Sequence, residues 1–275
     1  MMPTAFQSSG DMRQIVLWHW TDDLEEAAAC SIAGVNRIGI DIDRLGKAER
    51  QAGQNSWISR HQIEVLPLLR ERLPGQCLFL RTNGLHDGSI AEVETALAGG
   101  VDILMFPNFQ TIRELETFLK LVDCRAKVVP LVERHLALPL ISAFPTLGID
   151  EFHFGLNDLS LDMRVPNRLS LFLHPEIEAA CECARRAGLN FGIGGVARPG
   201  QDSLPVDPYS VIAQHARLGS TGAMLARSFW FEGRQKLLNS LGDEIACLRK
   251  AFRLGTQLPS GAARGLLEQQ LELAQ

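Results

Sequence analysis

Apolar residues occur along the chain in short continuous runs, and a longer segment with helical spacing follows each run. Continuous apolar strands are typical of a parallel sheet that helices cover, whereas a half-exposed strand alternates apolar and polar residues. The runs predict eight strands, at Ile15–Trp18, Arg37–Ile42, Cys77–Leu80, Val101–Phe106, Lys127–Val132, around Phe152 and Phe154, at Asn190–Gly195 and at Gly222–Arg227.

Helix-start signals follow several of these strands. Thr21, Ser59 and Thr111 are expected N-caps, and Ser89 with Glu92 fits a capping box. A loop is expected from the sixth strand to about residue 170. Further helices are predicted at Leu136–Phe144, Glu176–Ala187, Tyr209–Leu218, Arg234–Phe252 and Gly261–Leu273.

Eight strand–helix units in 275 residues predict an α/β fold, a single (β/α)8 TIM barrel over residues 1–275. Residues 232–275 are expected to form a helical C-terminal extension. The competing architecture is a doubly wound open sheet. That sheet usually has a glycine-rich phosphate loop after its first strand, and Trp18-His19-Trp20 stands there instead.

Composition narrows the class of protein. A hydrophobic content of 46% indicates a globular chain with a substantial core. The net charge of −5 and the lack of a basic stripe give no reason to expect a nucleic-acid partner. Residues 1–11 lack the pattern of a signal peptide, and no apolar run approaches the roughly 20 residues that span a bilayer, so a cytoplasmic location is expected.

Six cysteines are scattered over the chain. Only Cys181 and Cys183 are close in sequence, and in a helix two residues so spaced point to divergent faces. Buried, reduced thiols are therefore predicted.

Polar residues collect at the carboxyl ends of the predicted strands, where the active site of such a barrel lies. A scaffold without a site has no use for so many polar groups there. The residues at these ends are His19, Asp41, Asp43, Arg81, Asn83, Asn108, Glu133, Asp158 and Arg227, together with the glycines Gly194 and Gly195.

Three of these residues suggest a chemistry. Glu133 and Asp158 are hard oxygen ligands that suit Mg²⁺, with the remaining positions left to water or substrate. Arg81 is suited to grip a carboxylate or phosphate. Together they would polarise a 2-oxo acid and stabilise enolate charge.

Each residue also has a purely structural interpretation. Glu133 is as well placed to be an N-cap for the next helix, and Arg81 to pair with Asp41 or Asp43. His19, between two tryptophans, is more often a packed histidine. The glycines after the seventh strand permit close backbone approach.

The ordered set resembles the HpcH/HpaI aldolase/citrate lyase family of phosphoenolpyruvate/pyruvate-binding barrels. The similar segments extend over most of the barrel. They are Gly39-Ile40-Asp41-Ile42-Asp43, Phe79-Leu80-Arg81-Thr82-Asn83, Ile103-Leu104-Met105-Phe106-Pro107, Leu131-Val132-Glu133 and Phe154-Gly155-Leu156-Asn157-Asp158-Leu159.

The resemblance implies roles for these residues. Arg81 would hold the 2-oxo-acid carboxylate or stabilise the enolate, and Glu133 and Asp158 would ligate Mg²⁺ or Mn²⁺. The substrate would be a small 2-oxo acid or an acyl-CoA thioester, cleaved at a carbon–carbon bond. A homotrimer or homohexamer is implied, with the tail after residue 231 packed on a neighbouring subunit. The implied substrate-binding positions are Arg81, Asn83, Asn108, Gly155, Leu156 and Asn157.

Three departures from the family pattern concern the reaction itself. Asp41-Ile42-Asp43-Arg44 lacks the histidine base of the aldolases, and Leu131 stands where they have glutamine. Pro107-Asn108 replaces the Pro-Lys of the citrate-lyase branch. Asp41, Asp43 and His19 are therefore the candidates for proton transfer, and a divergent specificity is expected from the loop that contains Arg50 and Gln51.

The sequence thus predicts a metal-dependent carbon–carbon lyase. Two alternatives stay open at this point: a non-catalytic barrel that binds a metabolite, and phosphoryl or isomerase chemistry on a phosphoenolpyruvate-like ligand.

Overall fold

The chain folds into a closed barrel of eight parallel strands, which pair in sequence order until β8 returns to β1. The structure is a computed structural model, and it describes residues 14–46, 59–231 and 233–273. The predicted (β/α)8 barrel is confirmed, and the open sheet is excluded. The strands are β1 Val16–Trp20, β2 Arg37–Asp41, β3 Cys77–Arg81, β4 Ile103–Phe106, β5 Lys127–Val132, β6 Glu151–Phe154, β7 Asn190–Val196 and β8 Gly222–Leu225.

Helices alternate with the strands on the outside of the barrel. The α-helices of the described residues are Leu24–Ile32, Leu66–Arg72, Ser89–Ala98, Ile112–Val122, Leu156–Asp162, Pro175–Arg186, Pro208–Leu218, Arg234–Gly255 and Ser260–Leu273. Shorter or tighter 3₁₀ segments cover Ile63–Val65, His135–Leu147, Arg168–Leu173 and Arg227–Trp230.

Some predicted helix starts are wrong in detail. Asp23, rather than Thr21, caps the first helix, because its carboxylate accepts the backbone N–H groups of residues 25 and 26. Ser59 lies ahead of the 3₁₀ turn, where its hydroxyl accepts from the His61 backbone. Ser89 is already helical, so the predicted capping box is absent there. The Thr111 cap is confirmed, and its capping box includes Glu114.

Side chains alternate between the inside of the barrel and the surrounding helices. Trp18, Phe79, Met105 and Leu131 belong to a compact cluster inside the barrel, whereas Leu17 belongs to the larger core between strands and helices. Because successive strand residues point to opposite faces, this alternation fixes which strand-end residues point into the barrel mouth.

The predicted C-terminal extension forms two helices that pack on their own barrel. Leu241, Leu248 and Leu267 are almost completely buried in the main core. Packing of this extension on a neighbouring subunit stays a prediction.

The cysteines are all free thiols, as predicted, but their burial differs from the prediction. Cys30 and Cys181 are buried, whereas Cys124 and Cys247 are exposed. Among the described residues, none of the helices combines the length and apolarity that crossing a membrane requires.

Candidate functional site

Three buried carboxylates converge at the carboxyl end of the barrel. One oxygen from each of Asp43, Glu133 and Asp158 lies within 4.8 Å of the others. Their residues are only 0%, 2% and 6% exposed. Buried carboxylates so close together repel one another, and a divalent cation is the partner that such an oxygen cluster suits.

Glu133 enters the mouth because it continues the inward-facing positions of β5, after Val129 and Leu131. The backbone N–H of Asn108 donates to its Oε1 at 3.1 Å. The following 3₁₀ segment begins after Arg134 without a side-chain cap, so Glu133 is not its N-cap.

Gly155 makes the position of Glu133 possible. A Cβ at residue 155 would lie 2.8 Å from the Glu133 Cβ and 2.9 Å from its Oε2. Any larger residue would therefore push the carboxylate aside. Gly155 was expected to bind substrate, and the structure gives it this further role.

Asp158 lies in the first turn of the Leu156–Asp162 helix, where the sequence predicted a loop. The helix turns its Asp158 side toward Glu133 and buries Leu156 against Gly194 of β7. Asn157 is exposed. A cavity of about 260 Å³ adjoins Asp158, and it is lined by Arg134, Asp158, Leu161 and Asp162.

Arg81 is held in a fixed orientation beside the acidic cluster. Its Nε and Nη2 donate to the two oxygens of Asp41 at 2.7 and 2.6 Å, and its Nη1 lies 4.0 Å from Glu133 Oε2. Burial acts to lower the pKa of Arg81, but the charges of Asp41 and Glu133 outweigh it and raise the pKa. Arg81 is therefore charged at every physiological pH.

The pairing between Arg81 and Asp41 changes the expectation for Asp41. Its carboxylate accepts two N–H groups from Arg81 and the backbone N–H of Asp43 at 3.1 Å. A carboxylate whose oxygens already accept three hydrogen bonds is a poor candidate for the proton-transfer role. It serves instead to orient Arg81.

The two asparagines at neighbouring strand ends differ in their bonding. Asn83 is hydrogen-bonded through both ends of its amide: its Oδ1 accepts the backbone N–H groups of Arg44 and Leu45, and its Nδ2 donates to Glu92 at 2.7 Å. Asn83 therefore fastens the β2 and β3 loops rather than offering its amide to a substrate. Asn108 has a left-handed backbone (φ 61°), and its buried amide atoms make no hydrogen bond in the described part of the chain.

His19 is not brought to the acidic cluster. It lies on the outward face of β1, between the inward-facing Trp18 and Trp20, and its Nε2 is 2.6 Å from Glu26 of the first helix. Burial tends to raise the pKa of Glu26, but the hydrogen bond with His19 and the charge of Arg234 lower it. The structure thus favours the packed histidine over the catalytic one.

The structure adds Asp43 to the proposed ligand set, shows that Gly155 leaves room for Glu133, and shows that Glu92 accepts a hydrogen bond from Asn83. Asp43 was expected to transfer a proton. Its spacing from Asp41 is the signal that indicates an inward-facing position, because residues two apart in an extended segment share a face. Arg50 and Gln51, expected to influence specificity, lie outside the described residues.

Comparison with solved structures shows which proteins share this fold. An HpcH/HpaI aldolase from Desulfitobacterium hafniense DCB-2 matches with a TM-score of 0.58 and 14% identity, over 90% of this chain and 94% of that chain. A variant of the citrate synthase SbnG matches with a TM-score of 0.54 and 14% identity, over 86% of this chain and 94% of that chain. No family profile and no curated protein matches the sequence.

Proposed function

We propose that this chain is a divalent-metal-dependent carbon–carbon lyase that acts on a small 2-oxo acid or an acyl-CoA thioester. The observation that carries the proposal is the convergence of Asp43, Glu133 and Asp158 beside the fixed guanidinium of Arg81. The shared fold with an HpcH/HpaI aldolase and a citrate synthase is consistent with it.

The donor set fits Mg²⁺ or Mn²⁺. Three carboxylate oxygens are hard ligands, and three protein ligands leave positions that substrate oxygens can take. A bound divalent ion would supply Lewis-acid stabilisation of the negative charge that develops on the oxygens of an enolate. Asp43, Glu133 and Asp158 would hold that ion.

Arg81 would hold the substrate. Its Nε–Nη2 edge is used by Asp41, so the Nη1 end, which lies on the Glu133 side, is the part that faces the acidic cluster. A substrate carboxylate bound there would place its neighbouring carbonyl toward Glu133. Asp41 prevents the guanidinium from turning, so the substrate meets a preorganised positive charge.

The experiment is to replace Asp158 with Asn and measure Mn²⁺ binding by calorimetry or electron paramagnetic resonance. We expect the Asp158→Asn variant to bind Mn²⁺ at least about 100-fold more weakly, because it loses one charged ligand. Circular dichroism checks that the barrel is intact.

The matched control is Asp162→Asn, one turn further along the same helix. Asp162 contacts Arg134 and the backbone of His135 and is not one of the three clustered acids. We expect its Mn²⁺ affinity to equal that of the wild type. A wild-type protein that binds no Mn²⁺, or equal losses in the two variants, contradicts the proposal.

A second candidate function is a non-catalytic barrel that binds a metal and a metabolite. The observation in its favour is that the expected proton-transfer residues are engaged otherwise: His19 with Glu26, Asp41 with Arg81, and Asp43 in the acidic cluster. Metal binding without turnover, across a panel of 2-oxo acids and acyl-CoA thioesters, would favour this candidate over the lyase.

A further inference from the structure

The cavity of about 260 Å³ beside the acidic cluster lies between the end of β5 and the helix that follows β6. Arg134, which directly follows Glu133, lines it on the β5 side. Asp158, Leu161 and Asp162 line it from the helix, where their spacing of three and four residues places them on one face. A ligand bound at the acidic cluster therefore has room to extend along this helix, from Asp158 toward Asp162.

The polar groups of the cavity are held in place by the protein. Asp162 Oδ2 accepts the backbone N–H of His135 at 2.7 Å, and its Oδ1 lies 3.4 Å from Arg134 Nη2. That separation exceeds the roughly 2.7–2.9 Å of a well-formed charge-assisted hydrogen bond. The Nε of Arg134 makes no hydrogen bond within the described residues, and the side chain is 22% exposed. Arg134 thus keeps unused donor capacity beside a fixed acceptor.

The charges around the cavity do not favour a second anion. Arg134 contributes one positive charge, whereas Asp158 and Asp162 contribute one negative charge each. A carboxylate or phosphate placed there would face two acids and one arginine, and like charges at short range repel. A divalent cation would not fully neutralise the three carboxylates of the acidic cluster, so the cavity stays unfavourable for an anion after the cation has bound.

An uncharged hydroxyl group fits the same surroundings. Its oxygen accepts an N–H of Arg134 while its proton is donated to Asp162, which uses both groups at once. Leu161 supplies an apolar wall for a short carbon chain. The cavity is smaller than the roughly 300–1,000 Å³ of pockets that enclose a drug-sized ligand, so it holds a short fragment and has no room for a whole nucleotide carrier.

We propose that this cavity is a subsite for a short, uncharged, hydroxyl-bearing fragment, and that Arg134 and Asp162 determine its specificity. The fragment is the part of the substrate that extends beyond the metal-bound end, an assignment that rests on the proposed function. Binding of the fragment itself is measurable without metal and without turnover.

The test titrates three small probes against the full-length protein by saturation-transfer NMR, with a chelator present so that metal plays no part. The probes are 1,2-propanediol, 1-propanol and propionate, which share a carbon chain length and differ in hydroxyl groups and charge. We expect the diol to bind most tightly and Arg134→Gln to weaken its binding about tenfold. Asp162→Asn removes an acid, so it should weaken the diol and strengthen propionate about threefold.

Arg164→Gln is the matched control for Arg134→Gln. Arg164 is exposed, lies two residues beyond the same helix and does not line the cavity, so the three affinities should equal those of the wild type. Leu161→Trp is a second variant that keeps both charged groups and fills the cavity. It should abolish binding of the diol, and circular dichroism checks that each variant is folded.

The proposal is overturned if the wild type binds none of the probes, or binds propionate or 1-propanol as tightly as the diol. Wild-type diol affinity in Arg134→Gln or Leu161→Trp, or an equal loss in Arg164→Gln, also overturns it. Glu133→Gln separates this proposal from the proposed function, because Glu133 does not line the cavity. That variant should lose Mn²⁺ affinity and keep its diol affinity, and Arg134→Gln should do the reverse, so either result can fail without the other.

Discussion

A single guanidinium is held in one orientation at the barrel mouth. Arg81 and Asp41 occupy adjacent inward positions of paired strands, and the register of β2 and β3 places them directly opposite. Their side chains are only 15% and 11% exposed, so the pair is largely screened from solvent. Two parallel N–H···O bonds fix the plane of the guanidinium, and that plane determines where a substrate carboxylate would bind.

Replacing one member of this pair should lower the free energy of unfolding more than replacing both members does. Asp41→Asn leaves a buried guanidinium without its counter-charge, and we expect the free energy of unfolding to fall by about 3 kcal/mol. The double variant Asp41→Asn/Arg81→Gln should recover part of that loss, which urea unfolding of the two single variants and the double variant would measure as a coupling energy.

The exposed pair of Glu94 and Arg125 provides the comparison for this double-mutant cycle. Its side chains meet in solvent, so removing either should change stability little. If the Asp41–Arg81 cycle gives no more coupling than this surface pair, the two residues do not act as a preorganised unit.

For single residues, the sequence predicts which residues belong to the site better than it predicts which groups they contact. Glu133 and Arg81 could be identified because each stands at the end of an apolar strand, and Asp158 because it follows such a strand within a few residues. The role of His19 could not be assigned, because it depends on which face of the strand the side chain takes, and that of Asp43 depends on its closeness to Glu133 and Asp158, which are distant in sequence. The alternation around Trp18 and Trp20 carries that information for His19, but both faces of β1 are apolar and the inner one cannot be distinguished.

Among the elements, the strands were predictable and the segments after them were not. A buried parallel strand is a continuous apolar run, which is visible in sequence. The sequence predicted a loop where the Leu156–Asp162 helix lies, and in the structure Gly155 gives this helix no side-chain cap. Pro139 and Pro145 lie inside the His135–Leu147 segment, where the missing N–H groups favour 3₁₀ geometry over a regular helix.

The helix Pro208–Leu218 contains a histidine whose burial ties stability to pH. The His215 ring packs between Phe172 and Phe252, with centroids 5.2 and 5.4 Å away, and so joins three elements. Burial lowers the pKa of His215 to about 3. Because its pKa in the unfolded chain is about 6.5, acid protonates the unfolded state first.

We therefore expect the contribution of neutral His215 to the free energy of unfolding to be complete above about pH 6.5. It should be lost as the pH falls toward 3. Asn in place of His215 keeps a polar group beside the Ser220 hydroxyl and removes the titration. Between pH 6 and 4, the free energy of unfolding of the wild type should fall by about 1.4 kcal/mol per pH unit more than that of His215→Asn. Urea unfolding across this range measures the difference, and parallel pH profiles for the two proteins would rule the effect out.

For the molecule as a whole, the C-terminal extension is part of the barrel's stability rather than an appendage. Arg249, only 8% exposed, lies in the Arg234–Gly255 helix. Its guanidinium donates to the carbonyls of Ile15 and Gly34 and to Oδ1 of Asn36, at 2.9, 2.6 and 3.0 Å. The extension thus holds the chain on both sides of the first helix, just before β1 and just before β2.

Arg249→Ala should consequently destabilise the entire fold. It leaves two backbone carbonyls without their donor, and we expect the free energy of unfolding to fall by about 2–4 kcal/mol. The unfolding curve should stay a single transition when followed both by circular dichroism and by tryptophan fluorescence, since the tryptophans Trp18 and Trp20 lie in the barrel. Arg253→Ala, one turn away and exposed, should leave the midpoint unchanged. An early, separate transition in Arg249→Ala would instead mean that the extension unfolds by itself, and that the barrel closes without it.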